Sequence, residues 1–246
     1  MSVERAAIVT GASSGIGLAI ARVLGQEGYA MTVAARRPEK LEDAAKGLAD
    51  EGFDVQAVAA NVADEQEVKQ VVDAHRDRYG RLDVLVNNAG VGIGAPVDEI
   101  QTKRLDMQID INLRSIVLFY RECASMLREA GALHKRAIVI NTASIAGKHG
   151  EAWLSVYSAT KHAVVGWNDS MNRELATSGV RSTALCPAFV DTPMTDFVKG
   201  QVPAEEMIRP EDIAESVRYL LKVSPACLVP EIMFIRPGDS LGATGP

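Results

Sequence analysis

A tyrosine and a lysine stand four residues apart in the segment YSATK, at Tyr157 and Lys161. At this spacing both side chains lie on one face of a helix. A phenol with an ordinary pKa of about 10 is a weak acid and base at neutral pH, and a nearby ammonium favours the phenolate and lowers that pKa. The pair can therefore deliver a proton to a carbonyl oxygen or remove one from an alcohol. The spacing alone also occurs on many ordinary helix surfaces.

A glycine-rich turn, TGASSGIG at residues 10–17, separates a predicted strand from a predicted helix. Glycines permit a tight turn and let the backbone approach a pyrophosphate, while the following helix N-terminus offers free N–H groups and the positive end of its dipole. The alternative is a turn that binds nothing, but its place after the first strand favours a dinucleotide. The predicted contacts of this turn are Gly11, Ser13, Ser14, Gly15, Ile16 and Gly17.

The second predicted strand ends in two arginines, Arg36 and Arg37. A ribose 2′-hydroxyl is usually held by a carboxylate near this place, about 20 residues past the glycines, and no acidic residue stands here before the turn. A carboxylate would repel a 2′-phosphate, whereas a guanidinium binds it through two hydrogen bonds. The sequence therefore favours NADP(H) over NAD(H). The alternative is that the two arginines are an ordinary pair on the surface.

Short apolar runs alternate with helical patterns along the chain. Strands separated by helices imply parallel βαβ units with right-handed crossovers, and continuous apolar strands imply helices on both faces of the sheet. Because no linker or repeat interrupts this order, residues 1–246 are interpreted as one doubly wound α/β domain. Strands are predicted at 6–10, 30–35, 55–60, 82–86, 137–141, 181–185 and 232–235, and helices at 15–27, from 38, and near 64–79, 102–130, 155–177 and 211–222.

The overall charge argues against a general binder of anions. The 246 residues carry a formal net charge of −6, and aromatic residues make up 5%. An acidic surface is a poor match for nucleic acid or an anionic membrane, and few aromatics leave little for stacking on single-stranded bases. Any phosphate must therefore be held by a local site.

The cysteines, histidines and hydropathy indicate a cytoplasmic protein without a metal. Cys123, Cys186 and Cys227 are odd in number and lack CxxC spacing, which is typical of reduced thiols. The four histidines form no metal-binding motif. The N-terminal residues lack the pattern of a signal peptide, and no apolar run approaches the roughly 20 residues of a membrane-spanning helix.

The remaining polar motifs stand in a fixed order with the glycine turn. They are the segment NNAG at residues 87–90, Asn112, and Ser144 thirteen residues before Tyr157. With Lys161, this set makes the chain resemble the short-chain dehydrogenase/reductase family across nearly its whole length. The resemblance implies a Rossmann-like parallel sheet of seven strands in the order 3-2-1-4-5-6-7, and hydride transfer with a nicotinamide cofactor.

The resemblance also implies a role for each residue. Tyr157 would be the general acid in reduction and the base in oxidation, and Lys161 would lower its pKa and hold the nicotinamide ribose. Ser144 would hydrogen-bond the substrate oxygen and stabilise the charge that develops there. Asn112 would bind a water in a proton relay with Lys161. The segment that would line the adenine-ribose side and steady the sheet contains Asn88, Ala89 and Gly90.

Three places depart from the usual pattern of the family. Asn61 and Val62 stand where an Asp-Val pair is common, and an amide can still hydrogen-bond adenine. Pro187 is followed by alanine rather than glycine, and the backbone of Val190 and the side chain of Thr192 are the expected partners of the carboxamide. After the last strand the chain continues as RPGDS rather than as a glycine-rich segment, which puts the family's tetramer in doubt.

Two segments flank the catalytic residues and are predicted to shape the substrate pocket. One covers residues 145–156, and the other, residues 188–209, is predicted to be a mobile lid. Their apolar content suggests a small or medium hydrophobic carbonyl compound or alcohol. The alternative is that these side chains only pack the lid onto the core. The large side chains in question are Trp153, Phe189, Met194 and Phe197.

The helices at 102–130 and 155–177 carry more apolar residues than one face against the sheet needs. Among them are Leu105, Ile109, Leu113, Ile116, Val117 and Tyr120. The family forms a dimer through this surface, so we expect a homodimer or a homotetramer.

Together these observations predict an NADP(H)-dependent oxidoreductase that interconverts a carbonyl and an alcohol. One alternative is a 3-oxoacyl-thioester reductase of fatty-acid synthesis, which ranks lower because of the unusual C-terminal segment. Another is a catalytically silent NADP-binding sensor or scaffold. The complete set of Asn112, Ser144, Tyr157 and Lys161 argues against a silent protein, which has no need of a tuned phenol.

Overall fold

Seven parallel strands form one sheet in the computed structural model, which describes residues 4–200 and 202–237. The order across the sheet is β3-β2-β1-β4-β5-β6-β7, as predicted. Gly238, Asp239 and Ser240, in the unusual C-terminal segment, lie outside the described residues. The strands are β1 (Ala6–Thr10), β2 (Ala30–Ala35), β3 (Val55–Ala59), β4 (Val84–Asn87), β5 (Ala137–Thr142), β6 (Val180–Pro187) and β7 (Glu231–Phe234).

Helices cover both faces of the sheet, which explains why the inner strands are continuous apolar runs. Leu24, Leu41 and Val217 pack from α1, α2 and α7 against one face, and α3, α5 and α6 cover the other. No helix in the described part of the chain has the length and apolar character needed to cross a bilayer. The helices are α1 (Gly15–Gln26), α2 (Pro38–Asp50), α3 (Glu65–Tyr79), α4 (Thr102–Ile109), α5 (Ser115–His134), α6 (Ser155–Glu174) and α7 (Pro210–Lys222).

The strand order reverses between β1 and β4, since the chain leaves β1 toward β2 and returns to the other side of β1 with β4. In open α/β sheets the crevice outside the carboxyl ends of the strands at this point is the usual place for a ligand. The glycine turn follows β1, and the NNAG segment begins at Asn87, the last residue of β4, so both lie at this crevice.

The long helix predicted at 102–130 is interrupted. A π-helical turn, Asp110–Arg114, separates α4 from α5. Such turns widen a helix by one residue and are frequent at functional sites. Here the turn contains Asn112, whose side chain bonds to the backbone of Val91 rather than pointing into solvent. The spacing of apolar residues could not reveal the interruption, because Asn112 at its centre bonds to a residue 21 positions away.

A chain of buried polar side chains joins the sheet to α5 and α6. The amide of Asn87 donates to Asn141 at 2.9 Å, and the amide of Asn141 donates in turn to the hydroxyl of Tyr120 at 3.0 Å and to Asn168 at 3.1 Å. Buried polar groups cost free energy unless they are hydrogen-bonded, so these contacts hold the two helices in one position on the sheet. α6 carries Tyr157 and Lys161, and its placement therefore determines where their side chains lie.

Candidate active site

Lys161 is buried in α6 beneath the crevice. Its Nζ donates to the carbonyl oxygen of Thr142 at 2.7 Å and lies 5.6 Å from the centroid of the Tyr157 ring. Burial lowers the pKa of Lys161 from 10.5 to about 8, so the ammonium persists at neutral pH. A Cβ placed on Gly90 would lie 3.6 Å from this Nζ, which puts the NNAG segment beside the ammonium.

The Ser144 hydroxyl lies near enough to Tyr157 to affect the pKa of the phenol. Burial raises the pKa of Tyr157 above 10, and the hydrogen bond with Ser144 opposes that rise. The sequence led us to expect a pKa lowered by the Lys161 ammonium, and the direction in the structure is the opposite. The reason is that burial disfavours the charged phenolate, and Lys161 approaches the face of the ring instead of its hydroxyl.

The turn after β5 places Ser144 against α6. The Ser144 hydroxyl accepts from the N–H of Ala146 at 3.2 Å and donates to the carbonyl of Pro187 at 3.4 Å. A Cβ on Gly147 would lie 2.7 Å from the carbonyl oxygen of Lys161, so the backbones of this turn and of α6 are in direct contact. The turn after β5 and α6 thus bring Ser144 together with Tyr157 and Lys161.

Asn112 is fully buried and lies at the same centre. Its Oδ1 accepts from the N–H of Val91 at 2.8 Å, and its Nδ2 donates to the carbonyl of Val91 at 2.9 Å and to the hydroxyl of Thr160 at 3.1 Å. The side-chain amide therefore ties the loop after β4 to α6. A Cβ on Gly90 would lie 3.4 Å from this Oδ1, close to the Lys161 ammonium.

The glycine turn forms a cradle that side chains would fill. Gly11 and Gly15 have φ of +67° and +56°, the left-handed region that favours glycine. A Cβ on Gly17 would lie 2.4 Å from the carbonyl oxygen of Gly11, so α1 packs directly on the turn. Ser14, the N-cap residue of α1, makes no capping bond through its side chain, and the first turn of the helix carries no acidic residue. These features fit a pyrophosphate, because the N-terminal N–H groups are left for an anion.

Asn88 and Thr10 connect the glycine turn to β4 and β5. The Asn88 amide donates to the carbonyls of Thr10 and Gly11 at 3.2 and 3.3 Å, and its oxygen accepts from Thr142 at 3.1 Å. The Thr10 hydroxyl accepts from the N–H groups of Asn88 and Ala89 at 3.0 and 3.1 Å. Thr10 and Thr142 were not singled out in the sequence. Their only signal is that each is a polar residue closing an apolar strand, and their partners are distant in sequence.

Arg36 and Arg37 lie exposed at the end of β2, next to the glycine turn. The N–H of Ala12 donates to the carbonyl of Ala34 at 3.3 Å, which joins the turn to this strand end. Neither guanidinium enters an ion pair with another residue of the described ranges 4–200 and 202–237. Both charges are therefore available to a ligand.

Asn61 and Val62 follow β3, at the adenine side predicted from the sequence. Val62 is buried, and the Asn61 side chain accepts from the N–H of Ala63 at 3.3 Å. The backbone N–H of Asn61 donates to Glu67 at 2.7 Å. The Nδ2 group of Asn61 stays available, so an adenine contact would use the amide as a donor.

The segment after β6 reaches the glycine turn. A Cβ on Gly15 would lie 2.9 Å from the methyl group of Thr192. Thr192 caps a short 3-10 helix, Pro193–Val198, in a reciprocal pair with Thr195. Val190 is buried and bridges to Ile208, and its carbonyl accepts from the Thr195 hydroxyl at 2.6 Å. The carbonyl of Pro187 accepts from Ser144, so this segment contacts both halves of the site.

No group of three or more histidine, cysteine, aspartate or glutamate side chains in the described residues could hold a metal ion. The predicted site residues from β1, β4, β5, α6 and the segment after β6 are linked by contacts between these segments. Arg36, Arg37 and Asn61 lie at its far end, along the path from the glycine turn to β2 and β3.

The chain matches the family described as short chain dehydrogenase over residues 5–202. It is similar to a putative ketoacyl reductase of the monensin polyketide synthase of Streptomyces virginiae, with 34% identity covering 96% of this chain and 97% of that protein. A putative ketoacyl reductase of the granaticin polyketide synthase of Streptomyces violaceoruber is 36% identical, and the match covers 94% of this chain and 92% of that protein. The chain belongs to the short-chain dehydrogenase/reductase family.

Solved structures share this fold over nearly the whole chain. An alcohol dehydrogenase from Thermococcus sibiricus, complexed with 5-hydroxy-NADP, has a TM-score of 0.85 and 30% identity, covering 94% of this chain and 95% of that one. An actinorhodin polyketide ketoreductase with NADPH has a TM-score of 0.84 and 33% identity, covering 94% and 96%. A 3-ketoacyl-(acyl-carrier-protein) reductase from Brucella melitensis, complexed with NADH, has a TM-score of 0.84 and 27% identity, covering 94% of this chain and 97% of that one. The protein is thus an oxidoreductase of the short-chain dehydrogenase/reductase family.

Proposed function

We propose that the protein is an NADP(H)-dependent reductase that converts a ketone or aldehyde into an alcohol, and the reverse. The observation that carries the proposal is the meeting of Ser144, Tyr157 and Lys161 beside the glycine turn. A proton donor, a hydrogen-bond donor for the carbonyl oxygen and a buried cation are what such a reduction requires.

Ser144 and Tyr157 would bind the substrate oxygen between their hydroxyl groups. A phenol whose pKa is raised by burial keeps its proton at neutral pH, and an alkoxide forming on the substrate is a much stronger base than a phenolate. The proton then passes from Tyr157 to that oxygen. The nicotinamide, when bound, supplies the hydride to the carbonyl carbon.

Lys161 would stabilise the phenolate that remains after proton transfer. Its buried ammonium lies over the Tyr157 ring, and charges attract more strongly in such surroundings than in water. The carbonyl of Thr142 takes one of its three N–H groups, so others are left for a ribose hydroxyl. Asn112, which ties the loop after β4 to α6, would hold the water of a proton relay to Lys161.

The cofactor would lie along the carboxyl edge of the sheet. Gly11, Gly15 and Gly17 would hold the pyrophosphate, and the N–H of Val190 with Thr192 would hold the carboxamide. Arg36 and Arg37 favour a 2′-phosphate because neither is paired within the described residues. The remaining contacts are assigned to Ser13, Ser14, Ile16, Asn61, Val62, Asn88, Ala89, Gly90 and Pro187.

Replacement of Tyr157 tests the mechanism. Tyr157→Phe removes the phenol hydroxyl, which is the proton donor, and keeps the ring, so we expect kcat for carbonyl reduction to fall by about a hundredfold or more while the Kd for NADPH stays the same. Turnover is followed by NADPH absorbance over a panel of ketones and aldehydes, and binding by fluorescence titration. Tyr219→Phe, at an exposed tyrosine on α7, is the matched control. A Tyr157→Phe enzyme as fast as the original would refute the mechanism.

The relatives named as putative ketoacyl reductases favour a second candidate, reduction of a 3-oxoacyl thioester. The same Ser144, Tyr157 and Lys161 would perform it, because the reacting group is again a ketone. Adding a 3-oxoacyl thioester of N-acetylcysteamine to the panel separates the two: a kcat/KM well above that of every simple ketone would identify a thioester reductase. NADPH binding without turnover of any compound would instead indicate the silent binder.

We infer a single nucleotide-binding domain over residues 1–246, in which residues 188–209 close over the cofactor and substrate. The segment after β6 supports this lid because it touches the glycine turn at Gly15 and the catalytic centre at Ser144. Three unpaired cysteines agree with a reducing, cytoplasmic location.

A further inference from the structure

We propose that Trp153 determines the substrate specificity of this site, and that Trp153, Phe197 and Met194 form a wall that binds a flat apolar ring attached to the reacting carbonyl. The inference rests on the proposed reductase function and adds a substrate class to it. These three residues are called the aromatic wall below.

The backbone of Trp153 adopts a conformation that bulky residues avoid. Its φ is +67°, and within the described residues only Lys135 shares a positive φ among non-glycine residues. Lys135 ends α5, where a left-handed residue is common, whereas Trp153 ends no helix. Such strain persists only where the surroundings hold it, and it is concentrated at binding sites. Here the N–H of Ala95 donates to the Trp153 carbonyl at 2.8 Å.

The loop after β4 leaves space for the indole. A Cβ on Gly94 would lie 2.3 Å from the Trp153 ring, so no side chain fits at that position without displacing it. Two residues earlier, a Cβ on Gly92 would lie 3.8 Å from both the Met194 sulfur and the edge of the Tyr157 ring. Two residues span at most about 7 Å. The aromatic wall therefore begins beside the proton donor and is within reach of a substituent on the carbonyl carbon.

The side chains of the aromatic wall stay in solvent although they are large and apolar. Trp153 is 52% exposed, Phe197 57% and Met194 43%. The Trp153 and Phe197 rings are 6.0 Å apart and inclined by 53°, which joins the loop before α6 to the 3-10 helix after β6. Lys199, the nearby cation on that segment, is already paired with Asp191 and Asp196. The charges at the 3-10 helix are thus paired with one another, and they do not compete with an apolar ligand.

The chemistry of the aromatic wall favours a flat ring over a flexible chain. Aromatic rings gain from edge-to-face and offset contacts with one another, and a methionine sulfur adds a favourable contact at a ring edge. An alkyl chain of equal size makes no such contact and loses rotamer freedom on binding. Three ketones of eight carbons each separate these cases: acetophenone (flat ring), cyclohexyl methyl ketone (saturated ring) and 2-octanone (flexible chain).

The two tryptophans of the chain allow binding to be measured apart from activity. Trp167→Phe leaves Trp153 as the single indole, and phenylalanine can keep the edge contact that Trp167 makes with Tyr120. With NADP⁺ present, we expect acetophenone to quench this fluorescence at a lower Kd than the other two ketones. The Trp153→Leu variant, in which Trp167 alone emits, reports any quenching due to absorption by the ketone itself.

Kinetics of Trp153→Leu give the second readout. We expect its KM for acetophenone to rise about threefold to tenfold, and its KM for cyclohexyl methyl ketone and NADPH to change less than about twofold. Trp153→Phe should recover part of the loss, which a variant that merely misfolds would not show.

Each outcome decides between the two proposals. Equal KM changes for all three ketones, or 2-octanone as the preferred ligand, would overturn the aromatic wall and leave the reductase intact. Reduction of acetophenone without any change in Trp153 fluorescence would do the same. Quenching of Trp153 by acetophenone in a protein that reduces no carbonyl would support the ring site and overturn the reductase.

Discussion

Two opposing effects act on the hydroxyl of Tyr157. Burial raises its pKa and the hydrogen bond with Ser144 lowers it, while the Lys161 ammonium lies 5.6 Å from the ring centroid. The outcome is a phenol that holds its proton firmly until a stronger base appears beside it. Lys161 is affected in the opposite sense, since burial lowers its pKa to about 8. Both shifts have the same origin, since surroundings of low polarity disfavour the phenolate of Tyr157 and the ammonium of Lys161 alike.

Arg36 provides the residue-scale prediction on the cofactor. Arg36→Ala removes a guanidinium from the end of β2, so we expect the kcat/KM for NADPH to fall about tenfold relative to that for NADH. Steady-state kinetics with both cofactors measure the ratio. Arg173→Ala, at an exposed arginine of α6 paired only with Asp169, is the control. An unchanged ratio would show that the 2′-phosphate is bound elsewhere.

At the scale of the element, α4 and α5 present an apolar stripe to solvent. Ile116 and Tyr120, which the sequence suggested for an interface, are instead buried in the protomer's own core. Four other apolar residues of the predicted interface, each four positions after the last, stay partly or fully exposed. They are Leu105, Ile109, Leu113 and Val117. The π-helical turn between the two helices keeps them on one side.

This stripe predicts self-association. We expect light scattering to give a multiple of the 26.3 kDa subunit mass, because burying an exposed apolar stripe against a second copy removes apolar surface from water. Ile109→Arg should yield a monomer, since it places a charge in the covered surface. Val97→Arg, at an exposed apolar residue outside the stripe, should leave the mass unchanged. A wild-type protein that scatters as a monomer would contradict the helix interface.

At the scale of the whole molecule, a net charge of −6 accompanies the phosphate site that we propose at the N-terminus of α1 and at Arg36 and Arg37. Because salt screens charges that lie farther away, the acidic surface elsewhere would not oppose binding there at short range. Stability against acid depends on a different buried group, His75. Its Nε2 donates to the carbonyl of Arg81 at 2.8 Å, and its Nδ1 accepts from Thr32 at 2.7 Å. These partners hold the neutral ring.

His75 makes the stability of the protein depend on pH. Burial lowers its pKa from 6.5 to about 4, so between these values the unfolded chain binds a proton that the folded protein does not. The free energy of unfolding should therefore fall by about 3 kcal/mol as the pH drops from 6.5 to 4. Above pH 6.5, His75 should no longer reduce the stability of the protein.

Urea denaturation at several pH values measures this slope. His75→Gln removes the titrating group and should flatten the curve, although it is less stable at neutral pH. His162→Gln, at an exposed histidine, should keep the slope of the original protein. An identical slope in His75→Gln and the original would assign acid sensitivity to other groups.

The sequence by itself determined the alternation of strands and helices, the glycine turn and the pair of Tyr157 and Lys161. These features are local, because an apolar run, a glycine spacing or an i, i+4 pair is written in neighbouring residues. The strand order and the role of Ser144 were implied by the resemblance to the short-chain dehydrogenase/reductase family. The predicted sheet agrees with the structure, and Ser144, Tyr157 and Lys161 lie near one another in it.

Only the tertiary structure decided how these parts act together. The contact of Lys161 with the Thr142 carbonyl, the rise in the pKa of Tyr157 and the π-helical turn at Asn112 each depend on atoms from segments far apart in the chain. The strained backbone of Trp153 likewise follows from the loop after β4, which lies some 60 residues before it. Burial and long-range hydrogen bonds are properties of packing, and no spacing within a segment encodes them.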